Sequence, residues 1–600
     1  MYLEKINGPA DVKALNSPER TALAAEMRTA LIQKLSHHGG HCGPNLGLVE
    51  ATIALHTVFD SPKDRFVFDV SHQTYPHKML TGRSYGFLDP ARYDDITGYS
   101  APQESAHDPF TLGHTSTSVS LACGLAKARG AKSEHHNVVA IIGDGSLSGG
   151  EALEGLDLAG EMDSNLIIVV NDNGMSIAEN HGGIYKNLEL LRQTGGKAEC
   201  NLFRAMGLDY VFQPEGNHTD ALIETFQQVK DCDHPVVVHI VTEKGKGYAP
   251  AETHKENWHW CMPFDPKTGE STVHFEGEDY GDLTARYLLE EIQKDPKVVA
   301  ITSGTPAVFG FTEDLRKQAG KQFMDVGIAE ETAVALASGL AAGVQHAGAA
   351  VALASGLPAG GAKPVYGVYS SFLQRTYDQL SQDLCINNNP ATLLVFAASV
   401  YGMNDVTHLG IFDIPMISNI PNLVYLAPTT KEEYFAMLHW SMNQREHPVA
   451  IRVPACGVLS DGKAVTKDYG KLNTYEVTQS GSDVAFIGLG SFYPLAQQAA
   501  AEYEKRTGVR PTVINPYYIT GLDKELLAQL GKTHKTVVTL EDGVLDGGFG
   551  QKIAAYYGRT DTKVLCYGLQ KEFLDRYDVQ SVLEENRLTS AQISDDLQNL

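Results

Sequence analysis

Two apolar runs, each followed by a turn of glycine, aspartate or asparagine, constrain the fold of this chain more than any other feature. Val138–Gly143 leads into Gly143-Asp144-Gly145, and Leu166–Val170 leads into Asn171-Asp172-Asn173. Between the two runs, Gly149–Met162 carries apolar residues at the spacing of one helical face. Because neither run contains a charged residue, the pattern predicts a strand–helix–strand crossover in a parallel sheet that is buried on both faces.

The two turns also predict a site for a divalent cation and a diphosphate. The crossover brings the carboxyl ends of both strands to one edge of the sheet, so Asp144 and Asn173, 29 residues apart, are expected to be neighbours. Carboxylate and amide oxygens suit Mg²⁺, which completes its coordination shell with phosphate and water. The glycines allow the backbone to approach a diphosphate closely. Either turn alone is also an ordinary turn sequence, but their spacing across one crossover favours the diphosphate–metal site.

Alternating strand and helix patterns continue along the whole chain. Breaks at residues 265–282, taken as a linker, and near 455–470 predict three α/β domains, residues 1–270, 280–460 and 470–600. Each domain is expected to be a mainly parallel sheet flanked by helices. The predicted strands are Phe66–Val70, Val138–Gly143, Leu166–Val170, Val236–Val241, Val298–Thr302, Val365–Tyr369, Thr392–Ala397, Leu423–Leu426, Val449–Val453, Val484–Gly488, Pro511–Ile514, Val537–Leu540 and Val564–Tyr567. The polar tail after Asn586 is expected to fray.

Composition excludes several classes of protein. The chain has 73 acidic and 48 basic side chains and a formal charge of -25, so its overall field disfavours nucleic acid. Its eight cysteines form no CxxC pair, which indicates a reducing compartment rather than a disulfide scaffold. The first residues resemble neither a signal peptide nor a transit peptide. We therefore expect a cytoplasmic protein without nucleic-acid partners.

One stretch without acidic or basic residues, Thr332–Ala362, consists mostly of alanine and glycine. These residues contribute little transfer free energy, so the stretch predicts a buried helix pair rather than a membrane span. The sequence AVALASGL occurs in it twice, at Ala333–Leu340 and at Ala350–Leu357. We interpret this repeat as a local duplication that adds a turn and a helix beside Glu330.

Seven further segments resemble the 1-deoxy-D-xylulose-5-phosphate synthase family and occur in the family's order up to about residue 570. They are Ser36–Gly47 (SHHGGHCGPNLG), Asp69–Arg83 (DVSHQTYPHKMLTGR), Gly113–Ser118 (GHTSTS), Lys244–Tyr248 (KGKGY), Asp325–Glu330 (DVGIAE), Tyr369–Gln379 (YSSFLQRTYDQ) and Thr407–Asp413 (THLGIFD). The resemblance implies a transketolase-like thiamine-diphosphate fold with a diphosphate- and Mg²⁺-binding domain, a pyrimidine-binding domain and a transketolase C-terminal-like domain. It also implies a homodimer with each active site between the first two domains.

The resemblance assigns roles to residues at matching positions. Glu330 matches the glutamate that activates the aminopyrimidine, so we expect Glu330→Ala to keep the fold and lose nearly all turnover. His41, His259 and His408 match channel histidines, which suit proton transfer near neutral pH. The remaining assignments are His72, Gly113, His114, Thr115, Gly145, Ser146, Asn173, Tyr248, Phe372 and Arg375 for the cofactor; Asp144, Asn173 and the Met175 carbonyl for Mg²⁺; and Arg452 for a substrate phosphate.

The chain departs from the family pattern at several positions. Ala397 stands in place of an arginine expected at the substrate phosphate, and Asn404 in place of an acid four residues before His408. Glu331-Thr332 replaces Gln-His, and the segment Ser176–Asp209 is short. Most of these differences lie on the substrate or cofactor side of the second domain, whereas the predicted diphosphate–Mg²⁺ residues are intact.

The resemblance implies a transferase that condenses pyruvate with D-glyceraldehyde 3-phosphate, with loss of CO₂, to give 1-deoxy-D-xylulose 5-phosphate. The resemblance implies that this product feeds isoprenoid, thiamine or pyridoxal synthesis, and the sequence leaves the choice among the three open. Two alternatives stay open. One is a related thiamine-diphosphate enzyme with another donor or acceptor, including ketol transfer as in transketolase, which Ala397 and Asn404 favour. The other is a non-catalytic relative that binds a partner, which the duplication beside Glu330 favours.

Overall fold

Apolar, largely β-branched runs form the strands of three large sheets in this chain. The structure is a computed structural model that describes residues 1–132, 134–274, 276–342 and 361–599. The chain divides into two compact units: unit 1 is Met1–Glu276 with Gly327–Ala329, and unit 2 is Gly277–Val326 with Glu330–Leu600.

Unit 1 is built on a parallel sheet of five strands in the order β2-β3-β4-β6-β5, with a separate antiparallel pair, β1-β7. Its strands are β1 (Gly40–His41), β2 (Arg65–Phe68), β3 (Val138–Gly143), β4 (Ile167–Asp172), β5 (Asp209–Gln213), β6 (Val236–Val241) and β7 (Trp260–Cys261). Its α-helices are Pro9–Lys13, Ser17–His38, Gly43–Gly47, Val49–Val58, Tyr75–Lys78, Tyr85–Leu88, Ser118–Ala131, Gly150–Gly160, Gly183–Gln193, Leu202–Ala205, Thr219–Val229 and Ala249–Thr253.

Both faces of the five-stranded sheet are buried, as the uncharged strands predict. Along β3, Ala140 and Ile142 pack into one apolar cluster, and Val139 and Ile141 pack into another on the opposite face. The helix Gly150–Gly160 connects β3 to β4, and the parallel register pairs Gly143 with Asn171. The predicted crossover is therefore confirmed.

Unit 2 contains a parallel sheet in the order β12-β13-β11-β10-β8-β9 and a second sheet in the order β14-β16-β15-β17-β18, in which only the β14–β16 pair is antiparallel. Its strands are β8 (Val298–Thr302), β9 (Phe323–Asp325), β10 (Lys363–Tyr369), β11 (Thr392–Phe396), β12 (Val424–Leu426), β13 (Val449–Arg452), β14 (Glu476–Gln479), β15 (Asp483–Gly488), β16 (Thr512–Asn515), β17 (His534–Val544) and β18 (Lys563–Leu569). Its α-helices are Tyr280–Lys294, Glu313–Ala319, Glu330–Ala342, Asp413–Ile417, Lys431–Asn443, Tyr493–Thr507, Lys524–Thr533, Phe549–Tyr557, Val579–Glu585 and Ser590–Gln598.

Each predicted strand has a counterpart, so the α/β fold class with three mainly parallel sheets is confirmed. Two local predictions are wrong. The predicted linker, residues 265–282, extends too far along the chain, because Asp279 caps a helix that begins at Tyr280. The tail after Asn586 does not fray: Ser590–Gln598 is a helix whose Ile593 is fully buried against the helix Tyr493–Thr507.

The first copy of the AVALASGL repeat lies within the helix Glu330–Ala342. The second copy, and with it the expected extra turn and helix beside Glu330, falls outside the described residues. Among the helices that the structure does describe, none combines the length and apolar character that crossing a membrane requires.

Candidate active site

The carboxyl ends of β3 and β4 bring Asp144 beside the Asn171–Asn173 turn. The backbone N–H of Asp144 donates to the carbonyl of Asn171 at 3.1 Å, and the Asp144 carboxylate accepts the backbone N–H of Asn173. Asn173 Oδ1 accepts the backbone N–H of Met175 at 3.1 Å. The residues predicted to bind a cation are therefore neighbours at one sheet edge.

Asp144 is buried, and the donors and the cation near it offset only part of the negative charge of its carboxylate. Burial raises the pKa of Asp144 to about 7, and the negative charge of Asp172 adds to this effect. Asn180 Nδ2 donates to Asp144 Oδ2 at 2.7 Å, and the positive charge of Lys244 lowers the pKa by a smaller amount. A carboxylate in this state gains from a nearby cation, because the cation favours its charged form.

The surroundings of Asp144 fit a cation that carries a diphosphate. A Cβ at Gly145 would lie 2.9 Å from Ser176 Oγ, so glycine lets the backbone beside Asp144 pack directly against Ser176. Ser176 Oγ and His259 Nδ1 are buried and have no hydrogen-bond partner within the described part of the chain. Unsatisfied polar atoms of this kind are costly unless a ligand meets them. The donor set of one carboxylate, one amide oxygen and one carbonyl suits Mg²⁺.

Three predicted histidines form a cluster in unit 1. The ring centroid of His41 lies 4.9 Å from that of His72 and 5.7 Å from that of His259, and the rings of His72 and His259 stack at 5.1 Å. Tyr99 packs edge-on against His41 at 5.8 Å. The antiparallel pair β1-β7 explains the meeting, because it pairs His41 with Trp260, next to His259.

His259 is held neutral in this cluster. Its pKa lies well below the ordinary value, first because of burial and then because of the positive charge of Lys244 and the neighbouring histidines. Lys244 is itself buried, which lowers its pKa to about 8, and its Nζ donates to the carbonyl of Ser176 at 2.5 Å.

Asn45 connects the two backbone segments that carry His41 and His72. Its Nδ2 donates to the carbonyls of both residues at 2.8 Å, and its Oδ1 accepts the backbone N–H of Tyr75 at 2.9 Å. The side chain is fully buried. Next to His72, Val70 and Ser71 have φ of 58° and 67°, a left-handed conformation that is strained for residues other than glycine.

The loop with Gly113, His114 and Thr115 is fixed by Asp69. The Asp69 carboxylate accepts the backbone N–H groups of Ser116 at 2.9 Å and Ser118 at 3.0 Å. Ser116 Oγ in turn donates to the carbonyl of Ser146 at 2.8 Å. The loop and the Gly145-Ser146 turn are therefore held together, as expected of two segments that share one ligand.

Tyr248 packs in an aromatic cluster of unit 1. Its ring contacts Trp258 at 5.0 Å and Phe264 at 5.7 Å between centroids. Its hydroxyl is buried and lacks a hydrogen-bond partner within the described residues. Three residues before Tyr248, Gly245 has φ of 86°, and a Cβ there would lie 2.6 Å from the backbone of Ala251, so this turn requires glycine.

In unit 2, Glu330 is the first residue of the helix Glu330–Ala342 and is 3% exposed. Burial raises its pKa to about 7, although the guanidinium of Arg375 opposes the shift. Arg375 Nη1 lies 3.5 Å from Glu330 Oε2. Near neutral pH this carboxyl can therefore exist in either protonation state.

Phe372 and His408 also meet in unit 2. Their ring centroids are 5.5 Å apart in an edge-on arrangement, and Tyr369 packs on Phe372 at the same distance. His408 Nδ1 lies 3.0 Å from Asp405 Oδ1. The sequence analysis did not single out this aspartate.

The position of Arg452 argues against the predicted phosphate contact. It lies at the carboxyl end of β13 and is 4% exposed, with Nε donating to Asp413 at 2.7 Å and Nη1 donating to Asp542. Burial alone would lower the pKa of Arg452, but the charges of these two carboxylates outweigh it and raise the pKa. A guanidinium already neutralised by two buried acids has less charge to offer a substrate phosphate, and the phosphate contact of Arg452 stays a prediction.

Sequence reasoning missed five side chains that hold the predicted ones in place. They are Asn45, Asp69, Asn180, Lys244 and Asp405. Four of them lie inside or beside segments quoted for the resemblance, so their proximity in sequence was a usable signal. Their partners could not be read from the sequence, because most of these contacts join residues far apart along the chain.

Known families match most of the chain. The family described as 1-deoxy-D-xylulose-5-phosphate synthase matches residues 3–199 and 194–242. The pyrimidine binding domain of transketolase matches residues 348–455, and the C-terminal domain of transketolase matches residues 473–593.

Curated relatives match over nearly the full length. The 1-deoxy-D-xylulose-5-phosphate synthase of Halalkalibacterium halodurans is 35% identical over 100% of this chain and 99% of its own length. The enzyme of the same name from Clostridium beijerinckii is 36% identical over 99% of this chain and 98% of its own length. Among solved structures, transketolase from Campylobacter jejuni covers 98% of this chain and 100% of its own, at 17% identity and a TM-score of 0.44.

Proposed function

Because the chain belongs to the 1-deoxy-D-xylulose-5-phosphate synthase family, a family of transketolase-type transferases, we propose that its residues carry out the thiamine-diphosphate-dependent condensation of pyruvate with D-glyceraldehyde 3-phosphate. The products are 1-deoxy-D-xylulose 5-phosphate and CO₂. The observation that carries the proposal is the buried Glu330, whose pKa of about 7 suits the task of activating a cofactor ring near neutral pH.

The first domain, residues 1–270, is the diphosphate- and Mg²⁺-binding domain in this proposal. Asp144, Asn173 and the carbonyl of Met175 would hold Mg²⁺, as the donor set described above supports. His72, the loop Gly113–Thr115 and the turn Gly145-Ser146 would hold the diphosphate, and Tyr248 would contact the cofactor. Thiamine diphosphate supplies, when bound, a nucleophilic carbon that adds to the 2-oxo group and stabilises the charge left by CO₂.

The second domain, residues 280–460, is the pyrimidine-binding domain, and residues 470–600 form the C-terminal domain. Glu330, with Arg375 beside it, would hold the pyrimidine ring by a hydrogen bond, and Phe372 would offer it an aromatic contact. A buried carboxyl group that is protonated near pH 7 can donate such a hydrogen bond, whereas an exposed glutamate would be ionised. The protein is a cytoplasmic homodimer in this proposal.

The histidines move protons during the reaction. The neutral state of His259 makes it a hydrogen-bond acceptor or donor rather than a fixed cation. Its ring packs against those of His41 and His72, so the three imidazoles lie in one part of unit 1. In unit 2, His408 exchanges a proton with the second substrate.

A second candidate is a related enzyme of the same cofactor with another donor or acceptor. Two observations favour it: Ala397 replaces the expected arginine, and Arg452 is committed to Asp413 and Asp542. Loss of one charge-assisted phosphate contact costs about 1.5–3 kcal/mol. Transfer of a two-carbon ketol unit belongs to this candidate and releases no CO₂.

The deciding experiment measures CO₂ released from carboxyl-labelled pyruvate by the purified protein with thiamine diphosphate and Mg²⁺. The proposal expects release that rises when D-glyceraldehyde 3-phosphate is added, with 1-deoxy-D-xylulose 5-phosphate among the products. No release in either condition, from protein shown by equilibrium dialysis to bind the cofactor, would remove pyruvate as the donor. Ketose phosphates would then be tested as donors, and turnover on none of them would leave a binding role.

A further inference from the structure

The acid that the sequence lacks at residue 404 is supplied to His408 by the next residue. Asp405 Oδ1 lies 3.0 Å from His408 Nδ1. The side chains of His408 and Asp405 are 9% and 18% exposed, so solvent screens their interaction only weakly. Asn404, by contrast, is exposed.

A tight turn sets this contact. The backbone N–H of His408 donates to the carbonyl of Asp405 at 3.1 Å. Asp405 Oδ1 also accepts the backbone N–H of Thr407 at 3.1 Å and the Thr407 hydroxyl at 2.6 Å. The Thr407 hydroxyl also lies 2.8 Å from His408 Nδ1, so Asp405 Oδ1 meets the imidazole both directly and through this hydroxyl. The ring of Phe372 packs on His408 from another element.

We propose that Asp405 is a positioning residue that orients the His408 ring and keeps a proton on Nδ1. The other ring nitrogen, Nε2, is then the atom that exchanges a proton with the substrate, and the carboxylate stabilises the imidazolium that results. This role rests on the proposed function, in which His408 handles a substrate proton. The acid is displaced by one residue from its usual place, and the turn compensates for the displacement.

The neighbouring segment 575–577 contacts this turn and the residues before it through their backbone. Along the segment 575–577, Asp575 Oδ1 accepts the backbone N–H of Val406, the backbone N–H of Arg576 donates to the carbonyl of Asn404, and Tyr577 Oη donates to the carbonyl of Val400. Within the part of the chain that the structure describes, the titratable or charged groups on the elements around His408 include Asp575, Arg576 and Tyr577 on this segment, and Tyr369 and Arg375 on the side of Phe372.

Burial would raise the pKa of Asp405, but its hydrogen bond to His408, the charge of His408 and its hydrogen bonds to Thr407 outweigh burial and lower the pKa. The carboxylate is therefore ionised over the whole neutral range.

The test compares Asp405→Asn with the wild-type protein. Asparagine keeps an oxygen for the backbone N–H of Thr407, so the turn survives while the negative charge is lost. We expect kcat to fall about 10-fold to 100-fold with little change in the KM for pyruvate, because the loss concerns general acid–base catalysis. We also expect the limb of the pH–rate profile that reports the histidine to move to lower pH, since the imidazolium loses its anionic neighbour.

Asp575→Asn is the matched control, because it removes a carboxylate that binds the same loop through Val406 and should leave rate and pH profile near wild type. A fall in kcat for Asp405→Asn with both limbs unmoved would reduce Asp405 to a turn residue and overturn the proposal. Wild-type rate and profile would overturn it too. Restoration of part of the rate and of the pH limb by Asp405→Glu would support it.

A second readout does not depend on turnover. NMR titration of histidine-labelled protein, with His408→Gln used to assign the resonance, measures the ionisation of His408 directly. The proposal expects a lower titration midpoint in Asp405→Asn than in the wild type, and an unchanged midpoint would overturn it. If the protein released no CO₂ from pyruvate but the midpoint still moved, the choice of substrates would fail and the interaction of Asp405 with His408 would stand.

Discussion

Glu330 and Asp144 are both buried carboxylic acids, and in both residues burial raises the pKa to about 7. The two acids differ in the group that offsets the negative charge of each carboxylate. Arg375 approaches Glu330 at 3.5 Å, whereas Asp144 receives the amide of Asn180 at 2.7 Å. An acid that changes protonation near neutral pH suits proton exchange, and an acid with an uncompensated charge suits a cation.

Replacing Glu330 tests its catalytic role. Glu330→Gln keeps the shape of the side chain but cannot exchange a proton, so turnover should fall by about 100-fold or more. Circular dichroism and binding of thiamine diphosphate should stay close to wild type. The measurement is CO₂ release beside equilibrium dialysis of the cofactor, with Glu331→Gln as the neighbouring control. Near-wild-type turnover in Glu330→Gln would contradict the role.

The sequence was informative about residues with a motif and uninformative about their partners. It led to His41, His72 and His259 separately, and the structure brings their rings within 5.7 Å of one another. It did not indicate that Asp413 and Asp542 form ion pairs with Arg452, because these residues are 39 and 90 positions away from it. A pairing of side chains over such distances follows from the packing of whole elements.

At the scale of elements, the first turn of the helix Phe549–Tyr557 donates hydrogen bonds to the side chain of a buried acid. Glu541 accepts the backbone N–H groups of Phe549 at 2.8 Å and Gly550 at 2.7 Å, two of the unpaired donors of the first helical turn. Burial nevertheless raises the pKa of Glu541 to about 7. An acid whose pKa rises on folding favours the folded state below its unfolded pKa, and that contribution is lost as the pH rises through the folded value.

Glu541→Gln should therefore change how stability depends on pH. The amide oxygen still accepts backbone N–H groups, but the variant carries no charge. Between roughly pH 5 and 8, the free energy of unfolding of the variant should rise relative to wild type by on the order of 3 kcal/mol. Urea unfolding over this range measures the difference, with the exposed Glu525→Gln as control. A difference that is constant with pH would contradict the burial effect.

The helix Ser590–Gln598 was not predicted, because its composition is mostly polar. Its sequence is mostly polar, yet Ile593 is fully buried and joins Tyr503 and Ala499 in one apolar cluster. Short and exposed strands such as β5 and β14 were missed for a similar reason, since pairing with a neighbour and not their own pattern defines them. Strands buried on both faces, by contrast, were found within a few residues of their ends.

Ile593→Ala tests how firmly this helix is attached. Removing a buried side chain of this size leaves a cavity, so the free energy of unfolding should fall by about 2–5 kcal/mol. Chemical unfolding of the full chain provides the value, and Gln598→Ala, at an exposed position of the same helix, should change it by less than about 0.5 kcal/mol. A small effect of Ile593→Ala would indicate a helix that contributes little to the fold.

For the whole molecule, ligands that bind only the folded state raise its stability by mass action. Thiamine diphosphate and Mg²⁺ together should raise the midpoint of thermal unfolding more than either does alone, with a gain of about 2.7 kcal/mol at 100 times the dissociation constant. Asp144→Ala should lose the part that depends on Mg²⁺. Differential scanning calorimetry with Mg²⁺ or a chelator tests this, and an unchanged Mg²⁺ response in Asp144→Ala would exclude Asp144 as a ligand.

The ion triad of Arg452, Asp413 and Asp542 has a consequence for how this chain can evolve. Arg452 ends a strand of one sheet of unit 2, and Asp542 lies on a strand of the other. In a hybrid joined between the two sheets, Arg452 would keep Asp413 but would depend on the other parent for its second acid, and breaking a buried ion pair on one side costs about 3–5 kcal/mol. The second sheet can therefore be exchanged without this cost only for one that carries an acid at the position of Asp542.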